Sequence, residues 1–289
     1  MGKYYCLIAG LPDVSLEDSK QTYSVTEFRD EISEQLSKKD KKVIDLFFRK
    51  YDNANIVGFL QNPTYTFDKR GLYTAEQMVA VMTALKNDEI SPDLKTMPAY
   101  LAEFIRTYIA REDKPQETQI LWADRLASIY YAFATKNKNA FVSDWYELNL
   151  NINNILTAFT CRTHELDRAN YIIGDNLVSK ALRTSNARDF GLGDEIDYIP
   201  ALQKIVEEKD LIEREKKVDV LKWNWLEDHT FFKTFDIESV FTYLVKLDLI
   251  DRWVTLDKVT GEKTFRQLVG RMKKGSDNTL AKFKKNNNK

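Results

Sequence analysis

The sequence predicts an all-α fold on three observations. The chain has 289 residues but only 10 glycines and 6 prolines, whereas an all-β protein of this length needs many tight turns built from both. Hydrophobic residues make up 43% and charged residues 30%, which is typical of a folded domain and not of a disordered chain. Apolar residues recur at spacings of three and four, as in Leu101, Phe104, Ile105 and Tyr108. This spacing places them on one face of a helix.

A short apolar run, residues 4–11, precedes the first predicted helices. The run ends at Pro12 and is shorter than the core of a signal peptide, so we expect it to be a buried segment of the mature fold. No run in the sequence approaches the roughly 18 apolar residues of a membrane-spanning helix.

Two helix starts in the first third of the chain have capping-box spacing. Ser24 with Glu27, and Thr74 with Gln77, place a hydroxyl three residues before a side chain that can bond back to the helix start. The lysine-rich run 38–42 between them is expected to be a polar junction. The predicted helices after the two starts and after the junction bury these apolar residues: Val25, Phe28, Ile32 and Leu36; Met78, Val81, Met82 and Leu85; Val43, Leu46, Phe47 and Tyr51.

Helical periodicity continues through the rest of the chain. It is strong between Met97 and Phe133. The segment 195–228 is expected to be helical, with the charged run 207–217 on its solvated face. Asp236 can cap a further helix, and a last helix is expected to carry Phe265, Leu268, Val269 and Met272.

The predicted helices indicate one domain. No linker is long enough to force a boundary, so residues 1–275 are expected to form a single all-helical domain. Residues 276–289 are polar, basic and low in complexity, and we expect them to form a disordered tail.

The composition contains little that indicates chemistry. The 43 basic and 44 acidic residues nearly cancel, so no overall charge steers the chain toward nucleic acid or a membrane. His164, His229, Cys6 and Cys161 are the only histidines and cysteines, and they lack the spacing of a metal site or a disulfide framework. Two cysteines are typical of a reduced, cytosolic compartment. We predict no catalytic, cofactor or metal site, although a catalytic site built from distant residues stays open.

The stretch 145–162, WYELNLNINNILTAFTCR, contains four asparagines among good core residues. Its apolar residues have the spacing of a helical face, and Asn149, Asn151, Asn153 and Asn154 are expected to form a polar face opposite the core. Amides can bond to backbone or to a partner without adding charge. Two interpretations stay open: a polar network between helices of this chain, or a surface that binds another subunit.

The same stretch resembles an Asn-Ile motif in V/A-type ATP synthases and eukaryotic V-ATPases. The motif belongs to the protein of the central stalk that forms a socket on the membrane ring, and we call that protein the socket subunit. Glu147, Asn151, Ile152 and Ile155 match its acid followed by Asn-Ile and further aliphatic residues on a mid-chain helix. The basic residue expected soon after the motif is displaced here, to Arg162. The C-terminal part also looks similar, at Phe235, Ile237, Glu238, Tyr243, Lys246 and Arg266.

The N-terminal sequence KYYCLIAGLPDVSLED resembles a narrower group, uncharacterised bacterial proteins whose genes lie among V-type ATP synthase genes. This second resemblance covers most of the chain. The socket subunit usually has a Glu-x-Glu-x-x-Asn run before its last helix, whereas residues 247–252 here read LDLIDR and contain no asparagine. The resemblance to the socket subunit therefore implies the fold more directly than the detailed contacts.

By this resemblance, the chain is expected to be a funnel-like assembly of three similar helical parts. It is expected to be a non-catalytic central-stalk subunit that couples the central shaft to the membrane ring, with those two as partners and with no cofactor or nucleic acid. The implied location is cytoplasmic, peripheral on the cytoplasmic face of the inner membrane. The candidate partner-binding residues are Asn149, Asn151, Asn153, Asn154 and Arg162.

Two other functions stay open. The chain can be a helical adaptor that is associated with the synthase but is not part of it, or an enzyme whose site forms only in the fold. The basic tail has two interpretations as well. It can face anionic lipid or acidic neighbours, or it can serve only to solubilise the chain.

Overall fold

A computed structural model describes residues 3–16, 23–62, 64–110 and 122–255 of the chain. These residues contain twelve α-helices and no β-strand, which confirms the predicted all-α class. None of the helices in this part of the chain is long and apolar enough to cross a membrane. The helices are α1 (Tyr5–Ala9), α2 (Val25–Ser33), α3 (Lys38–Gln61), α4 (Ala75–Lys86), α5 (Pro92–Thr96), α6 (Ala99–Ala110), α7 (Trp122–Ala134), α8 (Ala140–Thr163), α9 (Leu177–Thr184), α10 (Ile199–Val206), α11 (Leu211–Thr230) and α12 (Ile237–Thr255).

Both predicted capping boxes are present. At the start of α2, Ser24 Oγ accepts from the Glu27 backbone N–H (3.1 Å), and Glu27 Oε2 accepts from the Ser24 N–H (2.8 Å). At the start of α4, Thr74 Oγ1 accepts from the Gln77 N–H (3.3 Å), and Gln77 Oε1 accepts from the Thr74 N–H (3.0 Å). Each box satisfies backbone donors that the first turn of a helix leaves without partners.

The lysine-rich run 38–42 is not a junction, as predicted, but the first turn of α3. Ser37 caps this helix, because its Oγ accepts from the Asp40 backbone N–H at 3.2 Å. The four lysines of the run lie toward solvent, so they stay hydrated while the helix continues into the core. A solvated first turn has the same composition as a linker, which explains the error.

The segment 195–228 is also not one continuous helix. A break at residues 207–210 separates α10 from α11. Asp210 caps α11, because its Oδ1 accepts from the backbone N–H groups of Ile212 and Glu213 at 2.8 and 3.2 Å. The charged run therefore begins in a connection between two helices and not on the face of one.

The helices α3, α8 and α12 form the centre of the molecule. The ring centroid of Phe241 on α12 lies 6.2 Å from that of Phe47 on α3. It lies 6.3 and 6.4 Å from the ring centroids of Phe141 and Tyr146 on α8. These pairs are close to edge-to-face, an arrangement that contributes about 0.5–1.5 kcal/mol beyond the burial of the rings.

The other helices surround this centre. α7 packs on α3 and α8, while α9 and α10 pack on α8, and α11 packs on α10 and α12. Tyr130 of α7 joins the two central helices that it touches. Its hydroxyl donates to the Leu46 carbonyl on α3 at 2.9 Å and lies 3.1 Å from the Tyr146 hydroxyl on α8.

The N-terminal apolar run is buried on one side only. Tyr4 and Leu7 are buried, whereas Cys6 is exposed and Tyr5 is 41% exposed. The Tyr4 N–H donates to the Phe235 carbonyl at 2.9 Å, which joins this run to the residues just before α12. The prediction of a buried segment is confirmed for Tyr4 and Leu7 alone.

Several predicted features lie outside the described residues. They are the disordered tail, 276–289, and the last predicted helix with its residues Phe265, Leu268, Val269 and Met272. Arg266, one of the residues that match the socket subunit, lies there as well. The division of the domain, 1–275, into three similar helical parts stays a prediction.

Candidate functional site

The asparagine-rich stretch lies within α8, as its spacing predicts. The expectation of one polar face opposite the core is wrong for two of the four amides. Asn151 is 4% exposed and Asn154 is 2% exposed, whereas Asn149 is half-buried and Asn153 is exposed. The turn of about 100° per residue directs these neighbouring amides to different sides of the helix. Asn151 and Asn154 lie on the side that α9 covers.

Asn154 bonds to the backbone of the loop before α9. Its Nδ2 donates to the Ile173 carbonyl at 2.7 Å, and its Oδ1 accepts from the Ile173 N–H at 3.1 Å. The same Nδ2 lies 3.1 Å from Ser179 Oγ. One amide therefore satisfies both backbone groups of a loop residue, and each group left buried without a partner would cost about 1–3 kcal/mol.

Asn176 extends this network to Asn151. Asn176 is the N-cap of α9, and its Oδ1 accepts from the Ser179 N–H at 2.9 Å. Its Nδ2 donates to Asn151 Oδ1 at 2.8 Å and to Glu147 Oε1 at 3.2 Å. Asn151 and Asn154 thus belong to a polar network within the chain. We call Asn151, Asn154, Asn176 and Ser179 the asparagine network.

The other two asparagines of α8 have different surroundings. Asn149 Nδ2 donates to the Trp145 carbonyl of its own helix at 2.7 Å. Asn153 Nδ2 donates to the Tyr131 hydroxyl of α7 at 3.1 Å. Asn153 also lines an open cavity of about 460 Å³, together with Tyr171 and residues of α8 and α11. Of the four asparagines, Asn153 is the one that a partner can reach most directly.

Arg162 lies on the side of α8 opposite to Asn153, since nine residues at about 100° each make two and a half turns. Its guanidinium donates to the carbonyls of Ala187 and Arg188, both at 2.8 Å. The same group stacks over the Phe190 ring at 4.0 Å from the centroid. The five candidate partner-binding residues are therefore not brought together on one surface.

A second polar cluster surrounds the C-terminal half of α12. Asp248 accepts hydrogen bonds from Lys50 Nζ and from the Tyr51 hydroxyl, both on α3. The Lys50 ammonium also lies 4.1 Å from the centroid of the Phe47 ring. We call the whole set the ionic cluster, and its charged members are Lys50, Asp68, Arg70, Glu215, Asp219, Lys222, Asp248, Asp251 and Arg252.

Arg252 joins α12 to α11 within this cluster. Its NH1 donates to both carboxylate oxygens of Asp219, at 3.2 and 3.0 Å, and its NH2 bonds to Glu215. The Asp219 side chain is fully buried and also accepts from Trp253 Nε1 at 2.9 Å. Burial raises the pKa of Asp219, and the positive charge of Arg252 opposes that rise.

Arg70 joins α12 to the loop that follows α3. Its guanidinium pairs with Asp68 at 2.7 Å and donates to Asp251 Oδ2 at 2.9 Å. It also lies over the Tyr51 ring, 4.3 Å from the centroid. Burial disfavours the charged form of Asp68, but the hydrogen bonds from Arg70 outweigh burial and lower the pKa of this carboxyl.

Two lysines of the ionic cluster are held where their charge is unfavourable. Burial lowers the pKa of Lys50 and of Lys222, while the attraction of Asp248 and Asp219 respectively opposes this. Each interhelical carboxylate of the cluster is engaged by a cation from another segment, which is the arrangement of a structural cross-link. Within the described ranges, no group of three or more His, Cys, Asp or Glu side chains is placed to hold a metal ion.

Comparison with known proteins identifies the family of the chain. The chain belongs to the family described as "Protein of unknown function (DUF2764)", whose model matches residues 1–276. No curated protein and no solved structure matches it. Membership covers nearly the whole chain, and a function has to be inferred from the residues and their geometry.

Proposed function

We propose that this chain is a non-catalytic central-stalk subunit of a V/A-type ATP synthase, which couples the central shaft to the membrane ring. One observation carries the proposal: the two segments that resemble the socket subunit pack against each other. The first lies on α8 and contains Glu147, Asn151 and Ile152. The second lies at the start of α12 and contains Ile237 and Glu238. The two are far apart in the sequence.

The contact between these two segments is direct. Tyr146 of α8 and Phe241 of α12 are buried and pack ring against ring at 6.4 Å. Asn139, the N-cap of α8, donates from Nδ2 to Glu238 Oε1 at 3.0 Å. Two chance matches in separate parts of a chain have no reason to meet in its core, whereas matches to one shared core do. The resemblance is therefore favoured as a sign of common architecture.

The two polar clusters also suit a part that transmits force. The asparagine network holds the start of α9 against α8, and the ionic cluster joins α3, α11 and α12. Hydrogen bonds and ion pairs have directional geometry, so they resist the sliding of one helix along another more than apolar contacts do. A coupling protein needs helices that keep their relative positions under load.

Reciprocal purification tests this proposal. One strain of the host carries a tag on this chain, and a second carries a tag on the catalytic subunit of its V/A-type synthase. We expect each tag to recover the other protein from gently solubilised membranes, with one copy of this chain per complex. If the tagged catalytic subunit recovers head, shaft and ring in full without this chain, the proposal is wrong.

A deletion strain distinguishes a stalk subunit from an adaptor outside the complex. Without a stalk subunit, we expect membrane vesicles to lose ATP-driven ion transport while the head still hydrolyses ATP, because the shaft no longer engages the ring. An adaptor outside the complex leaves the ratio of transport to hydrolysis unchanged. Complementation with the wild-type gene is the control.

A further inference from the structure

An open groove of about 620 Å³ lies between α10 and α11. The two helices form a hairpin with a short connection, so the end of α10 lies beside the start of α11. α10 has only 8 residues and α11 has 20, so α10 cannot cover the whole length of its neighbour. The floor of the groove is apolar and consists of Ala201, Ile205, Val220, Leu221 and Trp225.

The two ends of this groove carry opposite charges. Lys204 and Lys217 lie at the end nearest the hairpin connection, and Asp197 and Asp228 lie at the other end. All four side chains line the open groove. Lys217 pairs with Glu208 at 2.5 Å, whereas the other three form no ion pair within the part of the chain that the structure describes.

The acidic end of the groove continues into two exposed aromatic residues. Phe231 is 74% exposed and Phe232 is 91% exposed, and their rings lie perpendicular at 4.9 Å. The turn that carries them is held, because the Lys233 N–H donates to the Thr230 carbonyl at 2.8 Å. Exposed aromatic side chains on a fixed backbone are typical anchors of protein interfaces.

We propose that this groove binds an amphipathic helix of a protein partner, in one orientation. The acidic first turn of that helix lies over Lys204 and Lys217, and its basic last turn lies over Asp197 and Asp228. Helices are stabilised by acidic residues in the first turn and basic residues in the last turn, because these charges complement the helix dipole. The apolar face of the partner, at spacings of three and four, covers the floor.

The dimensions of the groove set the length of the partner helix. From Lys217 to Phe231 the chain advances 14 residues along α11, which is about 21 Å at the rise of an α-helix. A partner helix of about four turns spans this distance. Its last turn then reaches the two phenylalanines.

The charge pattern favours a helix over a lipid surface. An anionic membrane attracts a patch of one sign, and Asp197 and Asp228 would oppose such binding. The proposed stalk has one copy of this chain per complex, so the helix comes from a different subunit. In this choice of partner the inference rests on the proposed function, whereas the orientation rests on the charges of the groove.

Site-specific photo-cross-linking in the full-length chain tests the groove. The photoreactive residue p-benzoylphenylalanine is introduced in the host at position 220, at position 232 or, as a control, at position 177. Leu177 is 77% exposed and lies on α9, away from the groove. We expect positions 220 and 232 to cross-link to one segment of one synthase subunit, with position 220 nearer its acidic N-terminal end.

Several outcomes would overturn the inference. They are cross-links from position 220 to lipid, to a second copy of this chain or to residues 256–289 of the same chain. A partner segment in the reverse orientation, or equal cross-linking from position 177, would also overturn it. If the chain still co-purifies with the synthase in these cases, the proposed function stands and the groove assignment fails. If position 220 finds an oriented helix while the chain is absent from the synthase, the reverse holds.

Two variants supply an independent readout. Val220 is 39% exposed, so Val220→Glu places a charge on the floor without disturbing the core. We expect it to reduce recovery of the partner at least about tenfold, whereas Leu177→Glu leaves recovery unchanged. Asp228→Lys should reduce recovery at low salt, with a smaller difference at high salt because ions screen exposed charges. Circular dichroism and thermal unfolding confirm that all three variants fold.

Discussion

The asparagine network and the ionic cluster hold the molecule together in different ways. The network joins residues that are 25 positions apart, as in Asn151 with Asn176, through uncharged groups. The ionic cluster joins residues that are 198 positions apart, as in Lys50 with Asp248. Burial moves the pKa of Lys50 and of Asp219 toward the neutral form, while the buried amides have no charge to lose.

This difference shows how each kind of contact stabilises a helical chain. Amides satisfy the backbone of a nearby loop at little desolvation cost, because both partners are neutral. Ion pairs join distant helices, but their stabilisation is the small difference between attraction and the loss of hydration. The network should therefore depend on hydrogen-bond geometry alone, and the ionic cluster on pH as well.

The largest effect is expected where a buried charge loses its partner. Asp219→Ala removes the carboxylate that engages Arg252 and Trp253, and we expect it to lower the free energy of unfolding by about 3 kcal/mol. The value lies at the lower end for buried pairs because the Arg252 side chain is 39% exposed and can be hydrated. Urea unfolding at neutral pH measures the change.

Glu215→Ala is the matched control, since Glu215 pairs with the same arginine but its side chain is 47% exposed. We expect a loss below about 1 kcal/mol, as for other surface ion pairs. Equal losses for the two variants would show that burial of Asp219 does not matter, and the ionic cluster would not be a cross-link.

The second effect concerns the asparagine network. Asn154→Ala leaves the N–H and carbonyl of Ile173 without partners, and we expect it to lower the free energy of unfolding by about 2 kcal/mol. Hydrogen exchange should show faster exchange of the Ile173 amide. Asn153→Ala, on the exposed side of the same helix, is the control and should stay within about 0.5 kcal/mol. An unchanged Ile173 amide in Asn154→Ala would contradict the assigned hydrogen bonds.

A smaller effect is expected at the end of α8. Arg162→Ala removes two hydrogen bonds to the carbonyls of Ala187 and Arg188, and we expect a loss of about 1 kcal/mol. The loss is small because these carbonyls belong to an exposed loop and can bond to water instead. Thermal unfolding measures it. Arg162→Lys should recover only part of the loss, because an ammonium lacks the planar fork that spans both carbonyls.

The smallest effect is a change in the pH dependence of stability. The pKa of Asp68 is lowered in the fold, so below its usual value of 3.8 the unfolded chain takes up the proton first. Stability is therefore lost as the pH falls through this range. We expect Asp68→Asn to flatten the acid limb of the stability curve, while Asn154→Ala keeps the slope of the wild type. Urea midpoints measured from neutral pH downward compare the slopes.

Local signals in the sequence predict the helices because the interactions that start a helix are local. The capping boxes at Ser24 and Thr74 each need only four residues, and both are present. The break at 207–210 had a signal of the same kind, since Asp210 is followed three residues later by Glu213. The helical periodicity on either side concealed it.

The polar clusters are harder to predict because their partners are distant in sequence. The run LDLIDR places Asp248, Asp251 and Arg252 in an otherwise apolar helix, which indicates buried charge. The sequence alone does not reveal that Lys50 and Asp219 are the partners, because these residues meet only after three helices pack. The asparagines had a similar limit, since spacing assigns them to a helix but not to the side that α9 covers.

The packing of α12 against the N-terminal helices has a consequence for synthesis on the ribosome. Phe28 of α2 packs on Tyr243 at 5.0 Å, and Phe47 of α3 packs on Phe241. At about 5–20 residues per second, Phe241 emerges roughly 10–40 s after Phe47. During this interval α2 and α3 have no α12 to cover them. Nascent chains arrested before residue 237 should therefore be sensitive to protease and bound by chaperones.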